Sequence, residues 1–181
     1  MIRHLRPADY TVMPWANGQG TTTELCRIDQ AGQLRLRLSR AAVVADGAFS
    51  QFPGIDRNLT VLTGPGFDLV SPQTGAGLHQ RARPLCPVVF AGDVPIAAHG
   101  VTAPCDDFNV MWSRGLPAPV VALMQAPFDL ATVAGGRLFL YALTDGVAGG
   151  RAVAAHDLLE TDSAITALTG HFLTVAIAPQ N

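Results

Sequence analysis

The stretch Leu34-Arg35-Leu36-Arg37-Leu38-Ser39-Arg40 alternates strictly between apolar and polar residues. Successive side chains of a β-strand point to opposite faces, so this period of two predicts a strand with one buried face. The polar face carries Arg37 and Ser39. Such a face is usually solvated, but inside a barrel it would line the cavity.

Short extended segments are predicted along the rest of the chain, at 58–63, 66–70, 87–91, 108–112, 119–125, 137–144 and 164–178. Turns separate them, and 18 glycines and 13 prolines are spread over the 181 residues. Residues 146–150 are expected to be a glycine-rich break, and only residues 156–161 favour a helix, which is too short to stand alone. The pattern predicts an all-β fold, a barrel or a sandwich.

A short internal repeat indicates two related halves. Residues 59–64 read LTVLTG and residues 140–146 read LYALTDG. Each is followed by a turn ending in Asp and then by an apolar strand, at 108–112 in the first case and 172–177 in the second. Two stacked β-barrel units would produce this pattern.

The glycine-rich stretch Pro14-Trp15-Ala16-Asn17-Gly18-Gln19-Gly20-Thr21-Thr22-Thr23-Glu24 allows two interpretations. Its glycines permit unusual backbone angles, and its amide, hydroxyl and indole groups could line a polar pocket for a small anion. Alternatively it is a turn between two strands with Trp15 in the core. A phosphate-binding loop is excluded because the chain has no Lys, and a dinucleotide fingerprint because position 23 is Thr.

Composition favours a globular protein with a sizeable core, since 49% of the residues are apolar and 14% are charged. The net charge of −2 and the lack of a basic run argue against nucleic acid as a partner. No apolar run has the length of a signal peptide core or a membrane span. The three cysteines form no C-x-x-C pair, so neither disulfides nor a zinc knuckle are expected, and a cytoplasmic location follows.

An ordered set of motifs between about residues 10 and 115 resembles the HutD family. The matching pieces are Pro14-Trp15, Asn17-Gly18, Gly20-Thr21, Arg37-Leu38-Ser39, Asp46-Gly47, Phe49-Ser50, Phe52-Pro53-Gly54, Asp56-Arg57, Phe90-Ala91-Gly92-Asp93 and Asp107-Phe108-Asn109-Val110-Met111. The sequence departs from the family pattern at Ala16, Gln19 and Thr23, all in the glycine-rich stretch.

The resemblance implies a cupin-like (RmlC-like jelly-roll) β-barrel with two halves, a bicupin. We expect residues 1–125 to form a first barrel with the ligand pocket and residues 126–181 a second, smaller half, with strand exchange between the halves left open. The resemblance also implies an accessory or regulatory role in histidine utilisation.

Catalytic chemistry finds little support in the residues themselves. Metal-dependent cupins need an H-x-H pair, a nearby carboxylate and a third His, and none of the five histidines lies two residues from another. No G-x-S-x-G motif occurs, and Asp106 and Asp107 are neighbours of which only one can point inward. We therefore expect no metal and no other cofactor.

A polar constellation remains and is the predicted ligand site: Trp15, Asn17, Gly18, Gly20, Thr21, Arg37, Ser39, Asp56, Arg57, Asp107 and Asn109. Buried polar side chains are costly unless paired, so such a cluster either forms a self-satisfied network that locks the barrel or binds a ligand. Arg and Asn donors with Asp acceptors suit a small carboxylate that also carries an imidazole or amide.

Two functional hypotheses follow. The first is a binding protein of histidine catabolism, without enzymatic activity, that binds a carboxylate such as urocanate or formylglutamate. The second is a metal-independent isomerase or hydrolase with an Asp or His as general base. The expected partner is this small carboxylate, with no nucleic acid and no membrane, and a homodimer is a candidate assembly.

Because no three-ligand set is visible in the sequence, protein purified without chelator is expected to carry well under one equivalent of transition metal. Elemental analysis of the purified protein measures this directly. Stoichiometric zinc, iron or manganese that disappears in the His79→Ala or His99→Ala variant would contradict the expectation.

Overall fold

The computed structural model describes residues 1–15, 20–71 and 79–179. These residues form nineteen β-strands and one short 3-10 helix, Pro7–Asp9, which confirms the predicted all-β class. No helix in this part of the chain has the length and apolar character needed to cross a bilayer.

The strands in chain order are β1 (Arg3–Leu5), β2 (Thr11–Pro14), β3 (Thr21–Gln30), β4 (Gln33–Val43), β5 (Gly47–Ala48), β6 (Ile55–Thr63), β7 (Phe67–Val70), β8 (His79–Ala82), β9 (Val88–Ala91), β10 (Ala97–His99), β11 (Cys105–Ser113), β12 (Val120–Gln125), β13 (Phe128–Leu130), β14 (Arg137–Ala142), β15 (Gly146–Ala148), β16 (Arg151–Val153), β17 (Leu158–Thr161), β18 (Ile165–Thr169) and β19 (His171–Ile177).

The chain divides into two compact units. The first unit is Thr11–Arg114, and the second combines Met1–Tyr10 with Gly115–Asn181. The first ten residues join the second unit because β1 pairs antiparallel with β17. The division therefore differs from the expected 1–125 and 126–181 at both ends of the first half.

Two antiparallel sheets make up the first unit, with strand orders β2-β3-β4-β11-β6-β9 and β5-β10-β7-β8. An apolar core contains side chains from both sheets, including Val43, Leu59 and Val61 of the first and Phe67 and Leu69 of the second. The strand pairings of the described residues leave both sheets open, so they show a cupin-like sandwich and not a closed barrel.

The alternating stretch that predicted a strand lies in β4, between β3 and β11. Leu36 and Leu38 are buried on one face of this strand. Ser39, on the opposite face, is buried as well. This part of the face is therefore not solvated.

The second unit also has two antiparallel sheets, β1-β17-β14-β19-β12 and β13-β18-β15-β16. Three local predictions are corrected here. Residues 158–161 of the expected helix form β17, since pairing with β1 and β14 on both sides favours the extended chain. The expected glycine-rich break contains β15, and the expected strand at 164–178 is two strands, β18 and β19, separated at Gly170.

The turn between β6 and β7 requires a glycine at position 66, which offers a stability test. Gly66 has a φ of +81°, and a Cβ there would lie 2.1 Å from the Ala82 carbonyl oxygen. Gly100 has a φ of +70° with nothing within 4 Å of the same position. We expect Gly100→Ala to cost about 1–2 kcal/mol, the strain of the left-handed region. Gly66→Ala should cost roughly 3–5 kcal/mol, because the clash with backbone is added.

Urea unfolding of both variants measures these costs. Equal destabilisation by the two substitutions would show that the backbone contact at residue 66 relaxes freely.

Candidate functional site

A cavity of about 330 Å³ lies in the first unit. Its walls come from β3, β4, β6 and β11 and from the segment around β5. The lining residues are Trp15, Thr22, Arg37, Ser39, Ala41, Ala48, Phe49, Ser50, Phe52, Arg57, Asn109 and Met111.

Strand register brings the polar lining residues together. On β11, Asn109 lies opposite Ser39 of β4, and Met111 lies opposite both Arg37 of β4 and Arg57 of β6. Because side chains alternate along a strand, all five point to one face of the six-stranded sheet, called here the site face. Further along the same strands this face carries the apolar core, so core and cavity share one surface.

Arg57 is the most buried charge in the cavity wall, with 5% of its surface exposed. One of its terminal nitrogens, Nη2, donates a hydrogen bond to Asn109 Oδ1 at 2.6 Å. The guanidinium carbon lies 5.0, 5.2 and 5.8 Å from the ring centroids of Phe90, Phe49 and Phe52. This distance range is that of cation–π contacts, so the rings hold the guanidinium in place.

The charge of Arg57 has no carboxylate neighbour in ion-pair distance among the described residues, and its Nε has no hydrogen-bond partner there. Burial lowers the pKa of Arg57 to about 10, and Arg37 adds to this effect while Asp107 opposes it. The group therefore stays protonated at neutral pH.

Asn109 connects Arg57 to a carboxyl group behind the cavity wall. Its Nδ2 donates to Oδ1 of Asp107, which is fully buried on the same face of β11. The other oxygen, Asp107 Oδ2, has no partner among the described residues. Burial raises the pKa of Asp107 to about 7; Asp106 adds to the rise, whereas the charge of Arg57 and the bond from Asn109 oppose it.

A second arginine at the cavity is already paired. Arg37 Nε donates to Glu24 Oε2 at 2.7 Å, in a bond whose two side chains are 13% and 17% exposed. At the other wall, Trp15 Nε1 donates to Thr22 Oγ1 at 2.9 Å. Gly20 packs against the Trp15 ring, since a Cβ there would lie 2.9 Å from it. These contacts fix the orientation of the Arg37 guanidinium and of the Trp15 ring.

Comparison with known proteins identifies the family. The sequence profile of the HutD family matches residues 7–180. The chain belongs to the HutD family. A curated relative from Pseudomonas putida, an uncharacterized 21.2 kDa protein in the hutC 3' region, is 35% identical over 117 residues. That match covers 62% of this chain and 58% of the relative, so it spans little more than half of the relative's length.

Solved structures agree with this assignment. HutD from Pseudomonas fluorescens SBW25, solved in a formate condition, has a TM-score of 0.86 at 27% identity, with 100% of both chains covered. A cupin 2 conserved barrel domain protein from Leptotrichia buccalis has a TM-score of 0.55 at 9% identity, with 89% of each chain covered. The second match supports the cupin-like fold alone.

Five residues of the predicted ligand site line the cavity: Trp15, Arg37, Ser39, Arg57 and Asn109. Asp107 lies directly behind Asn109, and Gly20 supports Trp15. Asn17 and Gly18 lie outside the described residues.

Two predicted residues do not face the cavity. Thr21 is exposed on β3, and the alternation of that strand puts Thr22 on the site face instead. Asp56 points to the face opposite Arg57 and accepts two hydrogen bonds from Arg114, at 2.9 and 3.0 Å. Neighbouring residues of a strand cannot share a face, so Asp56 and Arg57 separate.

Sequence reasoning missed seven lining residues: Thr22, Ala41, Ala48, Phe49, Ser50, Phe52 and Met111. Phe49, Ser50 and Phe52 belong to the family motifs but carry no chemistry that marks a binding site. Met111 lies two residues after Asn109, so strand alternation alone could have found it.

No histidine is among the described residues that line this cavity. His79 and His99 are exposed, while His4 bonds to Asp157 at 2.7 Å and His156 to Tyr141 at 2.8 Å in the second unit. Within the described ranges, no three His, Cys, Asp or Glu side chains are grouped so that they could hold a metal ion. The metal content of the protein stays a prediction.

The raised pKa of Asp107 predicts a pH-dependent stability. Between the ordinary value of 3.8 and about 7, the folded chain holds a proton that the unfolded chain has released. This contribution to stability is therefore full below about pH 4 and is lost as the pH rises through about 7. Relative to Asp107→Asn, the wild-type free energy of unfolding should fall by a few kcal/mol between about pH 4.5 and pH 8.

Urea denaturation of both proteins across this range measures the difference. The matched control is Asp106→Asn, which changes the neighbouring carboxyl that pairs with Arg40 on the other face. A constant difference between wild type and Asp107→Asn over the whole range would refute the assignment.

Proposed function

We propose that this HutD family member is a small-molecule-binding accessory protein of histidine utilisation, and that its cavity binds a carboxylate intermediate of that pathway. Urocanate and formylglutamate are the leading candidates. The proposal depends chiefly on Arg57, a buried cation at the cavity that has no carboxylate neighbour among the described residues.

A buried charge without an ion partner is costly, because the low dielectric of the interior no longer screens it as water does. A ligand carboxylate in the cavity would supply the missing partner. Arg57 is suited to this task because its planar guanidinium recognises carboxylates through paired hydrogen bonds. The three phenylalanine rings and Asn109 hold the group in place before a ligand arrives, which reduces the entropic cost of binding.

The remaining lining fits a small metabolite with one further polar group. A volume of about 330 Å³ is near the lower end of the range of about 300–1,000 Å³ for ligand pockets. Ser39 adds a hydroxyl and Trp15 a flat apolar wall, while Arg37 is a second cation that is already paired with Glu24. This combination suits a carboxylate that carries an amide, a formyl group or a flat ring.

The family supplies the link to histidine utilisation. The relative from Pseudomonas putida is described by its position in the hutC 3' region, and the Pseudomonas fluorescens structure is that of a HutD protein. A regulatory protein that senses an intermediate of this pathway would act in the cytoplasm, where we place this chain.

A metal-independent isomerase or hydrolase is the second candidate, and one observation favours it. Asp107 has its pKa raised to about 7, a value that suits a general base. Its carboxyl, however, lies behind Asn109 and is absent from the cavity lining, whereas a general base must reach the proton that it removes. The geometry therefore favours binding over catalysis.

Thermal unfolding with and without ligand tests the binding proposal. Urocanate or formylglutamate at a hundred times its dissociation constant should stabilise the fold by about 2.7 kcal/mol. For a chain of this size, that is a rise of roughly 5–10 °C in Tm. Arg57→Ala should lose most of this rise, because the charge-assisted bond to the carboxylate is removed.

Arg81→Ala is the matched control, since Arg81 lies in the same unit on β8, outside the cavity, and pairs with Asp68. It should keep the full ligand-induced shift. An unmoved wild-type melting curve with both compounds at millimolar concentration would eliminate these ligands. Consumption of either compound by the wild type without added metal, followed by chromatography, would favour the enzyme.

A further inference from the structure

Asp107 lies at the boundary between the apolar core and the cavity. On the site face of β11 it stands between Cys105, which belongs to the core, and Asn109, which lines the cavity. Its side chain is fully buried, and Oδ2 has no hydrogen-bond partner among the described residues. A carboxylate oxygen in such a place is costly when ionised, so the site favours the protonated acid.

We infer that Asp107 is a positioning residue that links carboxylate binding in the cavity to a proton: binding takes up a proton at Asp107, and affinity falls when this carboxyl ionises. The inference rests on the proposed function, because it concerns the regulation of the same site.

The charges of Arg57, Asp107 and the ligand determine how protonation of Asp107 changes the affinity. When Asp107 is protonated, the charge of Arg57 is uncompensated, and a ligand carboxylate neutralises it. When Asp107 is ionised, it compensates Arg57 through Asn109, and a bound carboxylate leaves an excess negative charge in a buried site. Two carboxylates that share one cation raise each other's pKa, so the ligand favours the protonated form of Asp107. Thermodynamic linkage then requires that protonation favours the ligand by the same factor.

Asn109 transmits this effect without changing its own orientation. Its Nδ2 donates to Asp107 Oδ1, an oxygen that accepts in both the acid and the carboxylate form, and its Oδ1 accepts from Arg57. The amide therefore keeps Arg57 aimed in the same way at either pH. The change in affinity comes from charge, which separates this mechanism from a conformational switch.

The other charged side chains around Asp107 already have ion-pair partners. Asp106, next along β11, pairs with Arg40 of β4 on the opposite face. On the site face of β3 and β4, Glu24 and Arg37 pair with each other. The residues directly opposite Asp107 are Ala41 and Val61, which carry no charge. Within the described part of the chain, Arg57 and Asp106 are thus the charges that act on it most strongly.

Isothermal titration calorimetry with formylglutamate tests the inference, because the carboxylates of this probe stay ionised between pH 6 and 8.5. Titrations at fixed ionic strength should give an affinity about tenfold weaker at pH 8.5 than at pH 6, within the ~5–150-fold range of ordinary site coupling. Paired titrations near pH 7.5, in two buffers of different ionisation enthalpy, should show net proton uptake on binding.

Asp107→Asn mimics the protonated acid and keeps an oxygen for Asn109. It should bind at every pH about as tightly as the wild type does at pH 6, without proton uptake. Asp106→Asn, the matched control, should keep the proton uptake and the loss of affinity at high pH, with the midpoint moved to lower pH because Asp106 contributes to the raised pKa of Asp107. If Asp107→Asn fails to fold, the proton count of the wild type decides alone.

Three outcomes would overturn the inference. Wild-type binding with constant affinity and no proton uptake rejects it while leaving the proposed function intact. An Asp107→Asn variant with the pH dependence of the wild type assigns the proton to another group. Absence of formylglutamate binding at every pH rejects this ligand for the proposed function, and the proton linkage with it.

Discussion

A guanidinium buried without a carboxylate beside it is the constraint on which the cavity depends. Arg57 is almost fully enclosed, yet its described neighbours are three phenylalanine rings and one side-chain amide. Aromatic faces and a neutral acceptor compensate a charge only in part, and Arg37 nearby adds repulsion. Among the described residues, the fold thus gives Arg57 compensation by a carboxylate only indirectly, from Asp107 through Asn109, when that carboxyl is ionised.

One face of one sheet carries both the apolar core and this polar cavity. On β4, β6 and β11 the alternate residues change from Val43, Val61 and Cys105 in the core to polar side chains at the cavity end. Asp107 lies at the transition and meets both environments. The same burial that stabilises the core therefore also sets the protonation of a group next to the site.

Sequence reasoning could place residues on faces but could not fix which strands meet. The period of two in β4 correctly put Arg37 with Ser39, and it correctly required that only one of Asp106 and Asp107 point inward. It could not show that Thr22 and not Thr21 faces the cavity, because that depends on where β3 begins its pairing. Partners that are distant in sequence could not be predicted either. Asp56 accepts a hydrogen bond from Arg114, 58 residues away, through tertiary packing that no local pattern encodes.

The internal repeat shows how the two units differ at the position of Arg57. Aligning residues 59–64 with 140–145 sets Arg57 of β6 against Leu138 of β14, and each strand pairs with a later antiparallel strand, β11 or β19. Leu138 is buried in an apolar core together with Leu140 and Phe172. An apolar side chain at this position needs no counter-charge. Leu138 is therefore accommodated by packing alone, whereas the charge of Arg57 has no carboxylate within ion-pair distance among the described residues. Arg57 thus gives the first unit a buried charge that the corresponding position of the second unit lacks.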